Sequence, residues 1–180
     1  MTTDRQRLAV AADTAAISAL MRGSVLALFP RSYSPEQTAS GAIHIAHLDP
    51  LLIEDGTYFV HEADGEIVAC GGWSRRAKLY TGSGDHGDDA RLLDPATEPA
   101  RVRAMFVRQD WTRRGLGRAI LDSCERAAAD EGFRTLTLMA TLPGVPLYAA
   151  FGFTEIRRVD IPMPDGITIA GVEMQRPITT

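Results

Sequence analysis

The chain is short of lysine and of cysteine. Lysine occurs once among 180 residues, at Lys78, and no glycine-rich string precedes it. A P-loop nucleotide site needs a Gly-x-x-x-x-Gly-Lys string followed by serine or threonine, so this kind of site is excluded. The two cysteines, Cys70 and Cys124, both lie in apolar runs, which excludes a disulfide framework and a cysteine-rich metal cluster. Both thiols are therefore expected to be buried, in a reducing compartment.

Long hydrophobic runs and an excess of positive charge are also missing. No apolar run is expected to reach the length of a membrane span, and residues 1–7 lack the apolar core of a signal peptide. The formal net charge of -4 argues against nucleic acid as the main partner. We therefore expect a soluble, cytoplasmic protein that binds neither membrane nor nucleic acid.

The most informative stretch, residues 101–120, combines a strand, a glycine turn and the start of a helix. Gly115 and Gly117 lie at the turn, where backbone without Cβ atoms can come close to a ligand. Backbone N–H groups and the positive end of a helix dipole then point to one place, which favours an anion such as pyrophosphate. This part of an acidic chain contains one acid, Asp110, and the six arginines Arg101, Arg103, Arg108, Arg113, Arg114 and Arg118.

The hydrophobic periodicity predicts one domain over residues 1–180, with the element order β-α-α-β-β-β-α-β-α-β-β. This order indicates an α/β (α+β) fold whose central sheet mixes parallel and antiparallel pairs and has helices on both faces. Asp64-Gly65 predicts a hairpin turn, and residues 77–99 form a long irregular insertion. The predicted strands are 6–10, 57–62, 66–73, 102–107, 134–140, 153–158 and 167–175, and the predicted helices are about 14–29, 34–47, 116–131 and 145–151.

A dinucleotide-binding fingerprint is a second interpretation of the two glycines. Its last position requires a small residue for close contact between helix and strand, and this chain has Ile120 there. The fingerprint also requires a following strand that ends in an acid about twenty residues on, which the chain lacks. This interpretation is therefore disfavoured.

Residues 101–153 resemble the GNAT acyltransferase superfamily, and the element order of the full chain is similar as well. Two motifs carry the resemblance: residues 112–117 (Thr-Arg-Arg-Gly-Leu-Gly), which follow a strand ending at Val107, and residues 147–153 (Leu-Tyr-Ala-Ala-Phe-Gly-Phe). The chain departs from the family pattern at Thr112, where glutamine or arginine is usual. It also has Thr141 for a frequent asparagine, which removes one polar contact to the cofactor arm, and Gly144 for a frequent alanine.

The resemblance implies an acyl-CoA-dependent N-acyltransferase. It would transfer an acyl group, most simply acetyl from acetyl-CoA, directly to a small-molecule or peptide amine, without a metal. A non-catalytic acyl-CoA-binding sensor or assembly module is the alternative, and O-acylation stays open. Homodimers are common in the family, but the sequence shows no interface.

The same resemblance implies the cofactor contacts. Backbone N–H groups from Arg113 to Arg118 would hold the pyrophosphate, and the strand at 105–107 would pair with the pantetheine amides. Whether the Arg113 and Arg114 side chains bind phosphate or face solvent stays open. The implied cofactor-binding residues are Met105, Phe106, Val107, Arg113, Arg114, Gly115, Leu116, Gly117 and Arg118.

Tyr148 occupies the position of the family's general acid. A phenol with a pKa of about 10 is protonated at neutral pH and can donate to the leaving thiolate. A backbone N–H near Val107 would polarise the thioester carbonyl. The general base is unassigned, and a water relay is an alternative to any side chain. The candidate bases are Asp85, His86, Asp88, Asp89 and Glu98.

The acceptor region is expected around Arg31 and Tyr33, between the first two helices, and the insertion at 77–99 is a candidate lid. His44 and His47 are three residues apart on a predicted helix, a spacing that permits shared metal coordination. Because no third ligand is evident, no metal site is predicted.

Overall fold

In the computed structural model, which describes residues 3–80 and 87–179, seven strands form one sheet in the order β1-β2-β3-β4-β5-β7-β6. All neighbouring pairs are antiparallel except β4 and β5, which are parallel. The predicted mixed sheet is thus confirmed. The strands are β1 (Asp4–Leu8), β2 (Tyr58–Ala63), β3 (Glu66–Ser74), β4 (Ala100–Val107), β5 (Thr135–Thr141), β6 (Thr154–Pro162) and β7 (Thr168–Pro177). The helices are α1 (Thr14–Leu28), α2 (Pro35–His44), α3 (Pro50–Glu54), α4 (Leu116–Asp130) and α5 (Val145–Phe151).

Helices cover both faces of the sheet, as the element order predicts. On one face α4 buries Ile120, Leu121 and Cys124 in the largest core cluster, which α5 also joins. On the other face α1 packs Ile17 and Met21 against strand residues. The alternation of β4 follows from this: Met105 and Val107 face the α4 cluster, whereas Phe106 faces the clusters beneath α1 and α2.

Two local predictions are confirmed by their geometry. Asp64 and Gly65 both have positive φ values, 52° and 81°, which is the conformation of a tight hairpin turn between β2 and β3. At the start of α2, the Ser34 hydroxyl accepts a hydrogen bond from the Gln37 backbone N–H at 3.1 Å, and the Gln37 side chain accepts one from the Ser34 N–H at 2.9 Å. This reciprocal pair is a capping box.

Several predicted boundaries were wrong. The first strand is Asp4–Leu8 rather than 6–10, because as a polar edge strand it is aligned by ion pairs such as Arg7–Glu62 (3.1 Å) rather than by apolar alternation. The sequence prediction missed α3, a five-residue helix that Asp49 caps by accepting a hydrogen bond from the Leu51 N–H. The second helix ends at His44, not near residue 47, since the Ala46 N–H closes the last turn onto Gly41.

One expectation on long apolar segments also needs correction. The 21-residue helical stretch Ala11–Arg31 contains an 18-residue window with a mean hydropathy of 1.3 and, by length and composition only, could cross a membrane. Core helices of soluble proteins pass the same test. Here Ile17 and Met21 are fully buried against the sheet, as in a core helix.

The insertion at 77–99 is more ordered at its ends than expected. Its two ends run antiparallel: the Ala77 N–H donates to the Arg91 carbonyl at 2.9 Å, and the Leu93 N–H donates to the Arg75 carbonyl at 2.8 Å. Two hydrogen bonds from Arg76 to the Asp55 carboxylate, at 2.7 and 2.9 Å, fasten its base to the end of α3. Among its described residues there is no helix and no strand longer than a single bridge.

Candidate functional site

The sheet opens between its two parallel strands. β4 and β5 pair only at their beginnings, Ala100 with Leu136 and Arg101 with Thr137, and then separate. The register of β4 against β3 shifts opposite residues 70–72, which marks a bulge, and Ala104 in this bulge has a φ of 51°. A bulge bends its strand. The bend leaves the later part of β4 without a sheet partner on the β5 side and creates a cleft.

A buried hydroxyl supports this bulge. Tyr58 of β2 is 1% exposed, and its hydroxyl donates a hydrogen bond to the Ala104 carbonyl at 2.7 Å. Burial raises the pKa of this phenol, so it remains a donor at any ordinary pH. On the neighbouring strand Gly71 leaves room for Met105, whose sulfur would lie only 2.7 Å from a Cβ atom at position 71. A left-handed alanine is costly and persists only where its surroundings hold it.

The cleft has a volume of about 90 Å³, and most of its lining residues are apolar, although polar atoms make up nearly half of the exposed lining. From β4 it receives Met105 and Phe106, both predicted as cofactor-binding residues, whereas Val107 is not among its lining residues. Tyr148 from α5 also lines it. The structure therefore brings the predicted catalytic residue together with two of the three predicted β4 residues.

Tyr148 is held by apolar neighbours. Its ring lies edge-on to Phe153, with the ring centroids 5.9 Å apart, and burial raises the pKa of its phenol. Within the described part of the chain, its hydroxyl makes no hydrogen bond. A Cβ atom at Gly144 would lie 3.0 Å from the Tyr148 ring, so the glycine at this position gives the ring space. The result is a protonated phenol without a protein acceptor at the side of the cleft.

The predicted turn is present at Gly115, whereas Gly117, which was also expected at the turn, lies within α4. Arg113 and Gly115 have φ values of 62° and 81°, and the fifteen-residue helix α4 starts directly after them. The backbone N–H groups of residues 113–118 donate no hydrogen bond to the described residues. Unpaired N–H groups and the positive end of a helix dipole are the features that favour an anion, so the N-terminus of α4 is a candidate anion site.

Close helix packing also explains why position 117 is a glycine. A Cβ atom there would lie 2.7 Å from the Leu147 side chain, so the glycine allows α4 to approach α5 closely. Leu147 directly precedes Tyr148 in the chain. The start of α4, with its free N–H groups, is thus packed against the short helix that carries the phenol.

The six arginines seen in the sequence do not form one cluster. Arg101 and Arg103 lie on β4, and Arg103 is 2% exposed. Arg108 is paired with Glu66 at 2.8 Å and with Asp110 at 2.6 Å. The arginines that remain exposed at the turn are Arg113, Arg114 and Arg118.

Aromatic rings position two of these exposed arginines. The Arg114 guanidinium lies 4.3 Å from the Trp111 ring centroid, and that of Arg118 lies 5.5 Å from the Phe151 ring centroid. Such contacts restrain long cationic side chains near the anion site.

The candidate bases do not meet at the cleft. Glu98 accepts hydrogen bonds from Arg91 and from the Asp94 N–H, which together lower its pKa to about 2 and make it a poor base. Neither Glu98 nor Asp88 or Asp89 lines the cleft. Asp85 and His86 lie outside the described residues.

Tyr33 does not line the cleft and has a structural role rather than that of a reacting group. Its hydroxyl donates to the Ala170 carbonyl at 2.7 Å and accepts from the Leu142 N–H at 2.8 Å, which ties the start of α2 to β7 and to the end of β5. Arg31 is exposed. Sequence reasoning missed Tyr58 and the β6–β7 residues of the cleft, since neither has a local sequence signal.

The two histidines considered for a metal do not share a helix face. His44 ends α2 and lies 3.5 Å from Asp165, whereas His47 follows the helix and is exposed. In the described ranges, no group of three or more histidine, cysteine or acidic side chains could hold a metal ion.

Comparison with known proteins identifies a family that the chain matches. The family model described as "Acetyltransferase (GNAT) family" matches residues 23–153. Among curated proteins, none is similar enough in sequence to be matched.

Solved structures share the fold at low sequence identity. A GCN5-related N-acetyltransferase from Rhodopseudomonas palustris superposes with a TM-score of 0.73 at 20% identity, covering 97% of this chain and 96% of that one. The PaiA N-acetyltransferase from Thermoplasma acidophilum, solved in complex with coenzyme A, has a TM-score of 0.68 at 12% identity, with 97% and 99% covered. yncA from Salmonella typhimurium, solved with its cofactor acetyl-CoA, has a TM-score of 0.64 at 16% identity, with 99% and 95% covered.

Proposed function

The chain belongs to the GNAT acetyltransferase family, and on that premise we propose that it transfers an acetyl group from acetyl-CoA directly to an amine. One observation carries the proposal. A protonated phenol on α5 and a set of backbone N–H groups at the start of α4 have no hydrogen-bond partner among the described residues, and the two helices pack against each other beside an open cleft in the sheet. A thioester cofactor with a diphosphate needs the phenol at its thioester and the N–H groups at its diphosphate.

The diphosphate binds to the backbone N–H groups of residues 113–118. These groups lack partners in the described chain, and the dipole of α4 favours negative charge there. Arg113, Arg114 and Arg118 add positive charge that salt can screen. The backbone contacts therefore fix the position of the diphosphate, and the side chains add affinity.

The pantetheine arm lies along the unpaired side of β4 and brings its thioester to the cleft. Beyond Arg101 this strand has no partner on the β5 side, so its backbone can bond the amides of the arm as a neighbouring strand would. Met105 and Phe106 line this path. A backbone N–H near Val107 polarises the thioester carbonyl as it becomes tetrahedral.

Tyr148 donates a hydrogen bond to the leaving sulfur. Burial raises the pKa of this phenol, which keeps it protonated but makes full transfer to a thiolate uphill. The hydrogen bond to the developing thiolate is therefore its main contribution, and general acids of this kind contribute about 10²- to 10⁴-fold.

Tyr148→Phe tests this role. With purified protein, acetyl-CoA and an amine that the wild type acetylates, kcat is expected to fall about 10²-fold. CoA affinity measured by calorimetry is the control and should stay unchanged, since the ring remains. An unchanged kcat in this variant would remove Tyr148 from the mechanism. CoA binding without CoA release over a broad amine panel would favour a non-catalytic acyl-CoA sensor instead.

A further inference from the structure

The cleft has a second, apolar wall that the cofactor does not require. Ile161, Met163 and Ile169, from β6, β7 and the turn between them, line it and are 6%, 4% and 1% exposed. They belong to the third core cluster, which also contains Tyr33 and is covered in part by Ile45 and Tyr80. This wall comes from the opposite side of the cleft from β4.

Charge is scarce on the lining. Among the described lining residues, the single charged side chain is Arg103. Its guanidinium lies 3.4 Å from the Asp49 carboxylate and 3.4 Å from the Lys78 carbonyl. Asp49 is thus paired with Arg103. Among the described lining residues there is no carboxylate or imidazole that could pair with an ammonium group.

This wall determines which acceptor fits. An apolar substituent gains about 0.8 kcal/mol for each methylene that it buries. A second charged group on the same substituent would be buried without a partner, which costs several kcal/mol. In such surroundings burial also lowers the pKa of an amine and favours its neutral form.

From these observations, which deepen the proposed function and rest on it, we propose that the acceptor is a primary amine on an apolar group and binds as the free base. Its apolar group lies against Ile161, Met163 and Ile169. The amine nitrogen attacks the thioester carbonyl, so that a C–N bond forms and the C–S bond breaks. The nitrogen loses one proton to water, and the leaving thiolate, stabilised by the hydrogen bond from Tyr148, gains one proton from water; no other reactant is required.

A matched pair of amines tests the acceptor class. Butylamine and 1,4-diaminobutane have the same carbon chain, but the second carries an additional charge at its far end. With full-length protein and acetyl-CoA, kcat/KM for butylamine is expected to exceed that for 1,4-diaminobutane at least tenfold. It is also expected to exceed that for ethylamine by about fourfold for each added methylene. Equal values, or a preference for the diamine, would overturn the proposal.

A variant of the wall links the preference to the residues. Met163→Gln keeps the length of the side chain and adds a polar end, so the preference for butylamine over 1,4-diaminobutane should shrink several-fold. CoA affinity, measured by calorimetry on the same sample, reports whether the variant is folded and should be unchanged. An unchanged amine preference in a variant that still binds CoA would show that the wall does not select the acceptor.

The pH dependence of kcat/KM tests whether the amine binds as the free base. If the protein supplies no base, kcat/KM rises with pH up to the pKa of the amine itself. The midpoint then moves down when butylamine is replaced by the less basic 2,2,2-trifluoroethylamine. A midpoint that is the same for both amines and disappears in Asp85→Asn or His86→Gln would identify a protein base and overturn this part.

These outcomes differ from a failure of the proposed function. A chain that does not bind CoA contradicts both proposals. A chain that binds CoA and acetylates only polar or multiply charged amines contradicts the acceptor class alone, and the acetyltransferase proposal stands.

Discussion

The Tyr58 hydroxyl donates a hydrogen bond to the Ala104 carbonyl at 2.7 Å, across the width of β3. Ala104 is the left-handed residue at which β4 bends away from β5. A fully buried side chain two strands away therefore supports the backbone conformation that opens the cleft. The cleft depends on the core and not only on the residues that line it.

Tyr58→Phe should lower the free energy of unfolding and should also weaken the binding of acetyl-CoA. The ring stays, but the part-buried Ala104 carbonyl loses its donor, which lowers the free energy of unfolding by about 1 kcal/mol. We expect KM for acetyl-CoA to rise several-fold because the bulge can then relax. Urea unfolding and steady-state kinetics measure the two effects.

The neighbouring residue provides a control for this variant. Thr57 is equally buried, and its hydroxyl bonds the Leu52 carbonyl of α3 at 3.3 Å, away from the bulge. Thr57→Val should lower stability without raising KM for acetyl-CoA. The same KM in both variants would show that the Tyr58 bond only stabilises the fold.

Gly117→Ala should disturb the contact between α4 and α5. The added Cβ atom would lie 2.7 Å from the end of the Leu147 side chain, and overpacking of this kind costs about 1–3 kcal/mol. Because Leu147 precedes Tyr148, kcat should fall as well. Adding Leu147→Ala makes room and should restore part of both losses, which is measurable as a coupling energy in a double-mutant cycle.

Gly23→Ala, another glycine-to-alanine substitution within a helix, is the control for Gly117→Ala. Gly23 lies in α1, and an added Cβ atom there meets nothing within 4 Å. This variant should gain about 0.5–1 kcal/mol in the free energy of unfolding. If Gly117→Ala were as favourable as Gly23→Ala, close packing would not be the reason for glycine at 117.

Gly115→Ala should act through backbone strain. No atom would meet its Cβ within 4 Å, but the φ of 81° is unfavourable for alanine by about 1–2 kcal/mol. We expect lower CoA affinity together with lower stability. Gly115→Asn should lose less of both, since asparagine tolerates this conformation better. Thermal melts and CoA titrations test whether Gly115→Asn loses less stability and less CoA affinity than Gly115→Ala. Equal losses in the two variants would contradict this prediction.

Asp55 should make stability depend on acid pH. Two hydrogen bonds from Arg76 lower the pKa of this carboxyl below its ordinary value of 3.8. A lowered folded-state pKa contributes stability at pH above about 4, and this contribution is lost as the pH falls through the folded-state pKa. Asp55→Asn should therefore be less stable than the wild type at pH 7, with the difference shrinking toward pH 2.

Urea unfolding at a series of pH values measures this difference. Asp122→Asn is the control, because the Asp122 carboxylate on α4 forms no salt bridge within the ranges that the structure describes. Its stability difference from the wild type should stay small at every pH. A constant difference for Asp55→Asn across the series would contradict a role of its ionised form.

Local signals in the sequence were sufficient for part of the fold. Ser34 and Gln37 form their capping box, and Asp64 and Gly65 form their tight turn, because each motif is satisfied within a few residues. The positive φ at Gly115 is of the same kind. Such features depend on neighbours in the chain, so sequence reasoning can find them.

Features that depend on strand pairing could not be predicted in the same way. The bulge at Ala104 requires Gly71 on one side and the Tyr58 hydroxyl beyond it, and no alternation of apolar residues within β4 indicates it. The sequence groups Arg108 with the arginines near the glycine turn, whereas the pairing of β3 with β4 brings it next to Glu66. The apolar wall proposed to bind the acceptor likewise consists of residues about sixty positions after the β4 residues of the cleft.

Calorimetric titration of the full chain with CoA and with pantetheine, which lacks the diphosphate, tests the central claim most directly. If the N–H groups of residues 113–118 hold the diphosphate, CoA binds with one-to-one stoichiometry, and pantetheine binds about 100-fold more weakly or not at all, because charge-assisted hydrogen bonds are each worth about 1.5–3 kcal/mol. No heat on addition of CoA, or equal affinities for the two ligands, would contradict the account.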